Sequence, residues 1–189
     1  MMSLLALVFL VVCVSHTSAF FGGLKLPGSK VTPMRDTAKE FYNIVETDSK
    51  GSPFKFDKFK GKVVYGVNVA SKCGYTASGY KLLEKISEMD GVEVALFPCN
   101  QFGGQEPGSA ADIESFCAMK NVKGANIFEK GDVNGAKTRP AYAFLKDKKV
   151  LGNVAWNFAG KFLVDKQGNV MPVKSEKDLL KDIAKLAGQ

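Results

Sequence analysis

Cys73 is the residue in this chain best placed to do chemistry. It lies in Ser71-Lys72-Cys73-Gly74-Tyr75-Thr76, between an apolar run and a stretch with helical spacing. A thiol at the start of a helix meets unpaired backbone N–H groups and the positive end of the helix dipole, and both favour thiolate. Lys72 adds positive charge beside it. The spacing is that of a Cys-x-x-Cys site with Thr76 in place of the second cysteine, so the adjacent partner of a dithiol oxidoreductase is missing. What remains is a lone sulfur. The only histidine is His16, ahead of the domain. This excludes Cys-His dyads, Ser-His-Asp triads and histidine-rich metal sites. Activation must come from other donors. Gln105 in Phe97-Pro98-Cys99-Asn100-Gln101-Phe102-Gly103-Gly104-Gln105-Glu106-Pro107 and the Trp156-Asn157-Phe158 run supply amide and indole N–H groups. Taken singly, each has a plainer reading: a structural cysteine, a surface glutamine, a core tryptophan.

The surrounding elements decide between these readings. Residues 62–70 (KVVYGVNVA) are β-branched and mostly apolar, which predicts a strand buried on both faces. Tyr80, Leu83, Ile86 and Met89 then recur at helical spacing, and residues 92–97 (VEVALF) form a second buried strand. Strand, helix and strand at this separation make a βαβ unit with parallel strands. Open α/β sheets bind ligands beyond the C-terminal strand ends, so the Cys73 loop and the 97–107 loop are expected to be neighbours. Ser109-Ala110-Ala111-Asp112 predicts a capping box opening a helix through Met119. Arg139-Pro140 precedes a short helical run at 141–146. Residues 44–46 and 53–56 are short strands about the Asp48-Ser49-Lys50-Gly51 turn, and residues 162–165 and 170–173 form a terminal hairpin. Ser175-Glu176-Lys177-Asp178 is expected to cap a last helix with Leu179, Leu180, Ile183, Ala184 and Leu186 on its buried face. The fold class is α/β, with helices covering a mixed β-sheet.

The 189 residues are 46% hydrophobic, 24% charged and 11% aromatic. That excludes a disordered chain, a collagen-like fibre and a disulfide-dense miniprotein. Residues 1–19 read as a secretory signal peptide, with an apolar run over 4–14 and the small Ala19 before Phe20. Residues 20–35 are a flexible leader rich in Gly, Pro and Lys, and 36–189 are the domain. Secretion or the secretory pathway is the expected destination. A Phe at the cleavage point followed by a basic leader also resembles the bipartite presequence of complex plastids. The net charge of +7 belongs to the part after residue 19 and favours anionic partners such as a membrane surface. The basic residues are scattered and no nucleic-acid motif is present, so no nucleic-acid partner is expected. Cys13 leaves with the signal, and Cys73, Cys99 and Cys117 remain. An odd count leaves at least one thiol outside any intramolecular bridge.

Three runs carry a family resemblance. Asn68-Val69-Ala70-Ser71-Lys72-Cys73-Gly74-Tyr75-Thr76, the 97–107 run and Trp156-Asn157-Phe158-Ala159-Gly160-Lys161-Phe162-Leu163-Val164-Asp165 resemble the signature blocks of the glutathione peroxidase family. Gly61-Lys62-Val63 and Val133-Asn134-Gly135 also fit. The resemblance spans about residues 41–173. It implies a thioredoxin-like fold and a peroxidase acting on hydrogen peroxide and organic or lipid hydroperoxides. The family's reactive selenocysteine or cysteine falls on Cys73, and its glutamine, tryptophan and asparagine fall on Gln105, Trp156 and Asn157. Cys73 would pass through a sulfenic acid. Lys72, Gly74 and Lys161 join the list as surroundings of the thiolate or substrate. No metal or resident cofactor is implied, since the reducing thiol is a co-substrate.

The resemblance implies two routes for the second thiol. Cysteine-containing relatives often use a resolving cysteine on the helix after the Gln-Glu-Pro loop and are recycled by thioredoxin. Cys117 lies on that helix, but relatives put one residue between the phenylalanine and the cysteine, whereas Phe116 and Cys117 are adjacent. One helical step turns a side chain by about 100°. Cys99 is the other internal choice, and glutathione the external one. The loop before Trp156 is short, which implies a monomer with an open site, and Lys72, Lys137, Arg139 and Lys161 could meet phospholipid head groups. Val173-Lys174-Ser175 stands where relatives carry Arg-Tyr-x-Pro, which puts any substrate contact from that arginine in doubt. The alternatives from other classes are a thioredoxin-like redox-sensing module that oxidises a partner protein and a disulfide-linked structural protein.

Overall fold

A computed structural model describes residues 38–173 and 175–189. The predicted signal peptide and leader, with Cys13 and His16, lie outside the described residues, as does Lys174. In chain order the elements are α1 (Ala38–Phe41), β1 (Val45–Thr47), β2 (Pro53–Lys55), a 3-10 turn (Phe56–Phe59), β3 (Val63–Val69), α2 (Thr76–Ser87), β4 (Val92–Pro98), α3 (Ala110–Met119), β5 (Asn126–Ile127), α4 (Pro140–Asp147), β6 (Phe162–Val164), β7 (Val170–Pro172) and α5 (Leu179–Ala187). The main sheet has the order β5-β4-β3-β6-β7. β3 and β4 run parallel, with Val63 opposite Val92 and Val69 opposite Pro98. β6 returns antiparallel to β3, and β7 antiparallel to β6. The expected βαβ unit and hairpin are therefore present. The two-residue β5, parallel to β4, has too little periodicity to be read from sequence.

Every residue of β3 is buried, because both faces of the sheet are covered. Val63, Tyr65, Val67 and Val69 point into one apolar layer with α2, α3 and α5. Val64 points into the other, with Phe41, Phe56, Phe59 and the Ala141, Tyr142 and Leu145 face of α4. Gly66 opposes Phe162 across the β3–β6 ladder, where a β-carbon would lie 2.2 Å from the phenyl ring. A side chain there would displace the ring that fills the second layer.

That second layer holds a buried ion pair. Arg139 Nη2 lies 3.0 Å from Glu46 Oε2, and Arg139 Nη1 donates to the Glu129 carbonyl at 2.9 Å. The guanidinium lies 4.9 Å from the centre of the Phe97 ring. Glu46 Oε1 accepts from the Ala141 N–H at 2.8 Å, so a carboxylate on β1 caps the start of α4, with Pro140 at the first helical position. Arg139 is therefore no surface cation, and its expected contact with head groups is withdrawn. The expected cap of the last helix also differs. The helix starts after Asp178, whose side chain makes no cap bond, and Ser175 Oγ accepts from the Lys177 N–H in the preceding turn. By contrast, Ser109 and Asp112 form the predicted capping box at α3.

Removing one partner of a buried pair leaves an uncompensated charge. Glu46→Ala is expected to cost about 3–5 kcal/mol, read as a lower urea midpoint.

Candidate active site

Cys73 lies in the turn between β3 and α2 and is 8% exposed. Its sulfur accepts from the Tyr75 N–H at 3.5 Å, so the thiol does meet the helix N-terminal amides. Thr76, in the second position of the broken Cys-x-x-Cys, is structural: its hydroxyl accepts from the Cys73 N–H at 3.0 Å and donates to the Ala70 carbonyl at 2.7 Å. Those two bonds fix the turn that presents the sulfur. Lys72 and Gly74 beside it are exposed.

The 97–107 loop reaches Cys73 as expected. The Lys72 N–H donates to the Gln105 carbonyl at 3.0 Å. The loop turns back through Gly103 and Gly104, both in the left-handed region with φ of 65° and 64°, a conformation open to glycine. Asn100 Oδ1 accepts from the Glu106 N–H at 2.8 Å, and Gln101 Oε1 accepts from the Val133 N–H at 2.9 Å. Asn100 and Gln101 thus brace the loop.

Gln105 and Asn157 meet directly, with Asn157 Nδ2 donating to Gln105 Oε1 at 2.8 Å. This turns the Gln105 N–H₂ group away from Asn157. Asn157 is 2% exposed, and its Oδ1 is buried with no partner among the described residues. Trp156 is 41% exposed and leans on Phe102, ring centres 5.8 Å apart. Tyr75 is 61% exposed. Lys161 takes another partner, since its ammonium pairs with Glu176.

Sequence reasoning missed three residues around this site. Asn68 is fully buried in β3. It donates from Nδ2 to the Trp156 carbonyl at 3.0 Å, and its Oδ1 accepts from the Gly160 N–H at 2.7 Å. A lone asparagine in an apolar strand was the available signal. Glu106 is fully buried; Ser71 Oγ donates to its Oε1 at 2.7 Å, and its Oε2 has no partner among the described residues. Burial pushes its carboxyl above the usual carboxylate range, opposed by the Ser71 hydrogen bond and the Lys130 charge. Tyr80 Oη lies 3.5 Å from Cys117 Sγ.

The three cysteines of the domain are free. Cys117 packs in the same apolar layer as Cys73, whereas Cys99 packs in the layer on the other face of the sheet. The sheet thus separates Cys99 from Cys73. Burial raises the Cys99 and Cys117 thiols above the usual range, and the Tyr80 hydrogen bond opposes this at Cys117.

Two expectations follow. Asn68→Ala strands the Trp156 carbonyl and the Gly160 N–H, at about 1–3 kcal/mol for each group left unpaired. The loss should show as a lower urea midpoint for Asn68→Ala than for wild type. Glu106 holds a proton in the folded state that the unfolded chain gives up above its ordinary value of 4.5. Its contribution to stability is full below that pH and lost as pH rises through the raised value. Glu106→Gln keeps an acceptor for Ser71 without that loss. Its urea midpoint should therefore decline less than wild type as pH rises from about 4.5 through the raised value.

The chain matches the family model described as glutathione peroxidase over residues 41–146. It is 50% identical over 138 residues to the glutathione peroxidase-like peroxiredoxin HYR1 of Saccharomyces cerevisiae, covering 69% of this chain and 83% of that one. It is 44% identical over 160 residues to a probable phospholipid hydroperoxide glutathione peroxidase 6, mitochondrial, of Arabidopsis thaliana, covering 79% and 68%. The crystal structure of T. cruzi GPX1 superposes with a TM-score of 0.61 at 30% identity, covering 78% of this chain and 96% of that one. A thioredoxin-like protein from Aeropyrum pernix, at 14% identity and a TM-score of 0.56, shares the fold; it covers 78% of this chain and 91% of that one. With this fold and these relatives, the chain is a thiol peroxidase and belongs to the glutathione peroxidase family.

Proposed function

We propose that Cys73 is the peroxide-reactive thiol, that Gln105, Trp156 and Asn157 serve it, and that Cys117 resolves it. The observation that carries this reading is the junction of three loops. The Cys73 turn is tied to Gln105 by a backbone bond, and Gln105 to Asn157 by a side-chain bond. In the first step the Cys73 thiolate attacks the terminal oxygen of the hydroperoxide. The S–O bond forms as the O–O bond breaks, and the alcoholate leaves with a proton as alcohol or water. The turned-out Gln105 N–H₂ group suits the charge that develops on oxygen. The unpartnered Asn157 Oδ1 suits the hydroperoxide O–H as a hydrogen-bond donor.

In the second step the Cys117 thiol attacks the Cys73 sulfenic acid, forming a disulfide and releasing water. Their shared apolar layer supports Cys117 over Cys99. Thioredoxin then reduces the disulfide; glutathione is the alternative reductant if Cys117 does not resolve. Sulfur carries both electrons throughout, so no metal or resident cofactor takes part. Exposed Tyr75 and Trp156 give the site an apolar rim, and exposed Lys72 adds charge. This rim suits bulky lipid hydroperoxides presented at an anionic surface by a monomeric enzyme. The plant relatives include proteins named mitochondrial and chloroplastic. We read residues 1–19 as a secretory signal, with a complex-plastid presequence as the alternative.

The test is hydroperoxide turnover of the mature chain with a thioredoxin system and, separately, with glutathione. Cys73→Ser should abolish turnover with either donor. Gln105→Ala should slow oxidation of Cys73 by about a hundredfold, the usual cost of one transition-state donor. Cys117→Ser should abolish thioredoxin-supported turnover. Full activity in Cys117→Ser would move resolution to Cys99 or to an external thiol.

A further inference from the structure

The fully buried residues of α3 are Ile113 and Cys117, with Phe116 packed part-buried beside them. Ile113 borders a cavity of about 190 Å³ also lined by Ser109, Ile127, Phe128 and Lys130. Cys117 is thus one of the two residues that seat this helix in the core. Ala118 beside it is exposed, whereas Cys117 is 2% exposed, so its sulfur points inward.

What it meets there is Tyr80, from the second turn of α2. Tyr80 Oη is 3.5 Å from Cys117 Sγ. The Tyr80 ring stands edge-on to Phe116 of α3 at 5.1 Å and to Phe158, next to Asn157, at 6.0 Å. One side chain therefore joins the Cys73 helix, the Cys117 helix and the Trp156 loop. Burial raises both the phenol and the thiol, so the contact is between neutral groups. A sulfur held against this hydroxyl must leave it before it can bond to Cys73 Sγ at about 2.0 Å.

We propose that Tyr80 is a positioning residue that latches Cys117 in the core and sets how long Cys73 remains a sulfenic acid. The proposal rests on Cys117 as the resolving thiol. In the step that the latch delays, the Cys117 S–H bond breaks, the Cys117–Cys73 S–S bond forms and the Cys73 S–O bond breaks. The hydroxide leaves with the Cys117 proton as water, and no outside oxidant is needed. A tight latch gives a small external thiol time to capture the sulfenic acid; a loose one commits the enzyme to its internal disulfide. Tyr80 thereby acts on the choice of reductant.

The test is Tyr80→Phe, which keeps the ring contacts and removes the hydroxyl. The full mature chain is treated with one equivalent of hydrogen peroxide and quenched with dimedone at intervals. Mass spectrometry then counts the Cys73 adduct and the Cys73–Cys117 disulfide. Loss of one neutral hydrogen bond should speed disulfide formation about two- to tenfold. The Cys73 adduct should fall to match. Alkylation of Cys117 by iodoacetamide in the reduced protein should rise by the same factor, while oxidation of Cys73 by peroxide keeps its rate. Disulfide formation at an unchanged or slower rate in Tyr80→Phe overturns the latch. A disulfide at Cys73 that survives Cys117→Ser overturns the resolving role itself, and the latch with it.

Discussion

A single buried amide sets the geometry of the site. Asn68 sits in the central strand, where every neighbour is buried, and an unpaired amide there would be costly. Its side chain is paired at both ends, to the Trp156 carbonyl and the Gly160 N–H, and its own carbonyl accepts from the Phe158 N–H at 2.9 Å. Three bonds from one residue thus hold a five-residue loop against the sheet. Tyr142 adds a fourth restraint, donating from Oη to the Gly160 carbonyl at 2.7 Å. Gly160 is needed in this clamp because a β-carbon would lie 2.9 Å from Asn68 Oδ1. Phe158, with φ of 62°, is held in a conformation that a non-glycine residue seldom adopts. The positions of Trp156 and Asn157 are consequences of that clamp. Asn68 lies on the same strand that ends at the Cys73 turn, so the sulfur and the groups around it share one rigid support.

The two faces of the sheet divide the labour. The face with α2, α3 and α5 carries Cys73 and Cys117 and is joined to solvent through the Cys73 turn. The opposite face holds Cys99, the Glu46–Arg139 pair and most of the phenylalanine rings. Phe97 and Phe128 stack at 4.8 Å beneath the guanidinium, so the pair is enclosed by aromatic surface. Charge on that face fixes the start of α4. The separation keeps a third thiol from competing within the same layer.

Much of this was legible in the sequence because the signals were local. The β-branched run of β3, the helical spacing of Tyr80, Leu83 and Ile86, and the Ser109–Asp112 box each lie within a short window, and the structure follows them. The neighbourhood of the Cys73 and 97–107 loops followed from the parallel βαβ unit. The rest depended on partners distant in the chain. Arg139 looked like a surface charge because its partner, Glu46, lies 93 residues away. Lys161 looked free because Glu176 comes from the far side of the hairpin. Ser175 fitted a cap motif, but the helix begins later. Tyr80 was legible as a core position of its helix and Asn68 as a polar residue in an apolar strand, but their partners and that of Glu106 come from other elements.

Trp156 is the chain's single tryptophan, and it stands half exposed at the lip of the site, against Phe102. A lone indole on the loop that carries Asn157 makes the molecule its own optical probe. Its indole emission comes from one known place. Indole light from this protein therefore reads the state of the Trp156 loop without any added label.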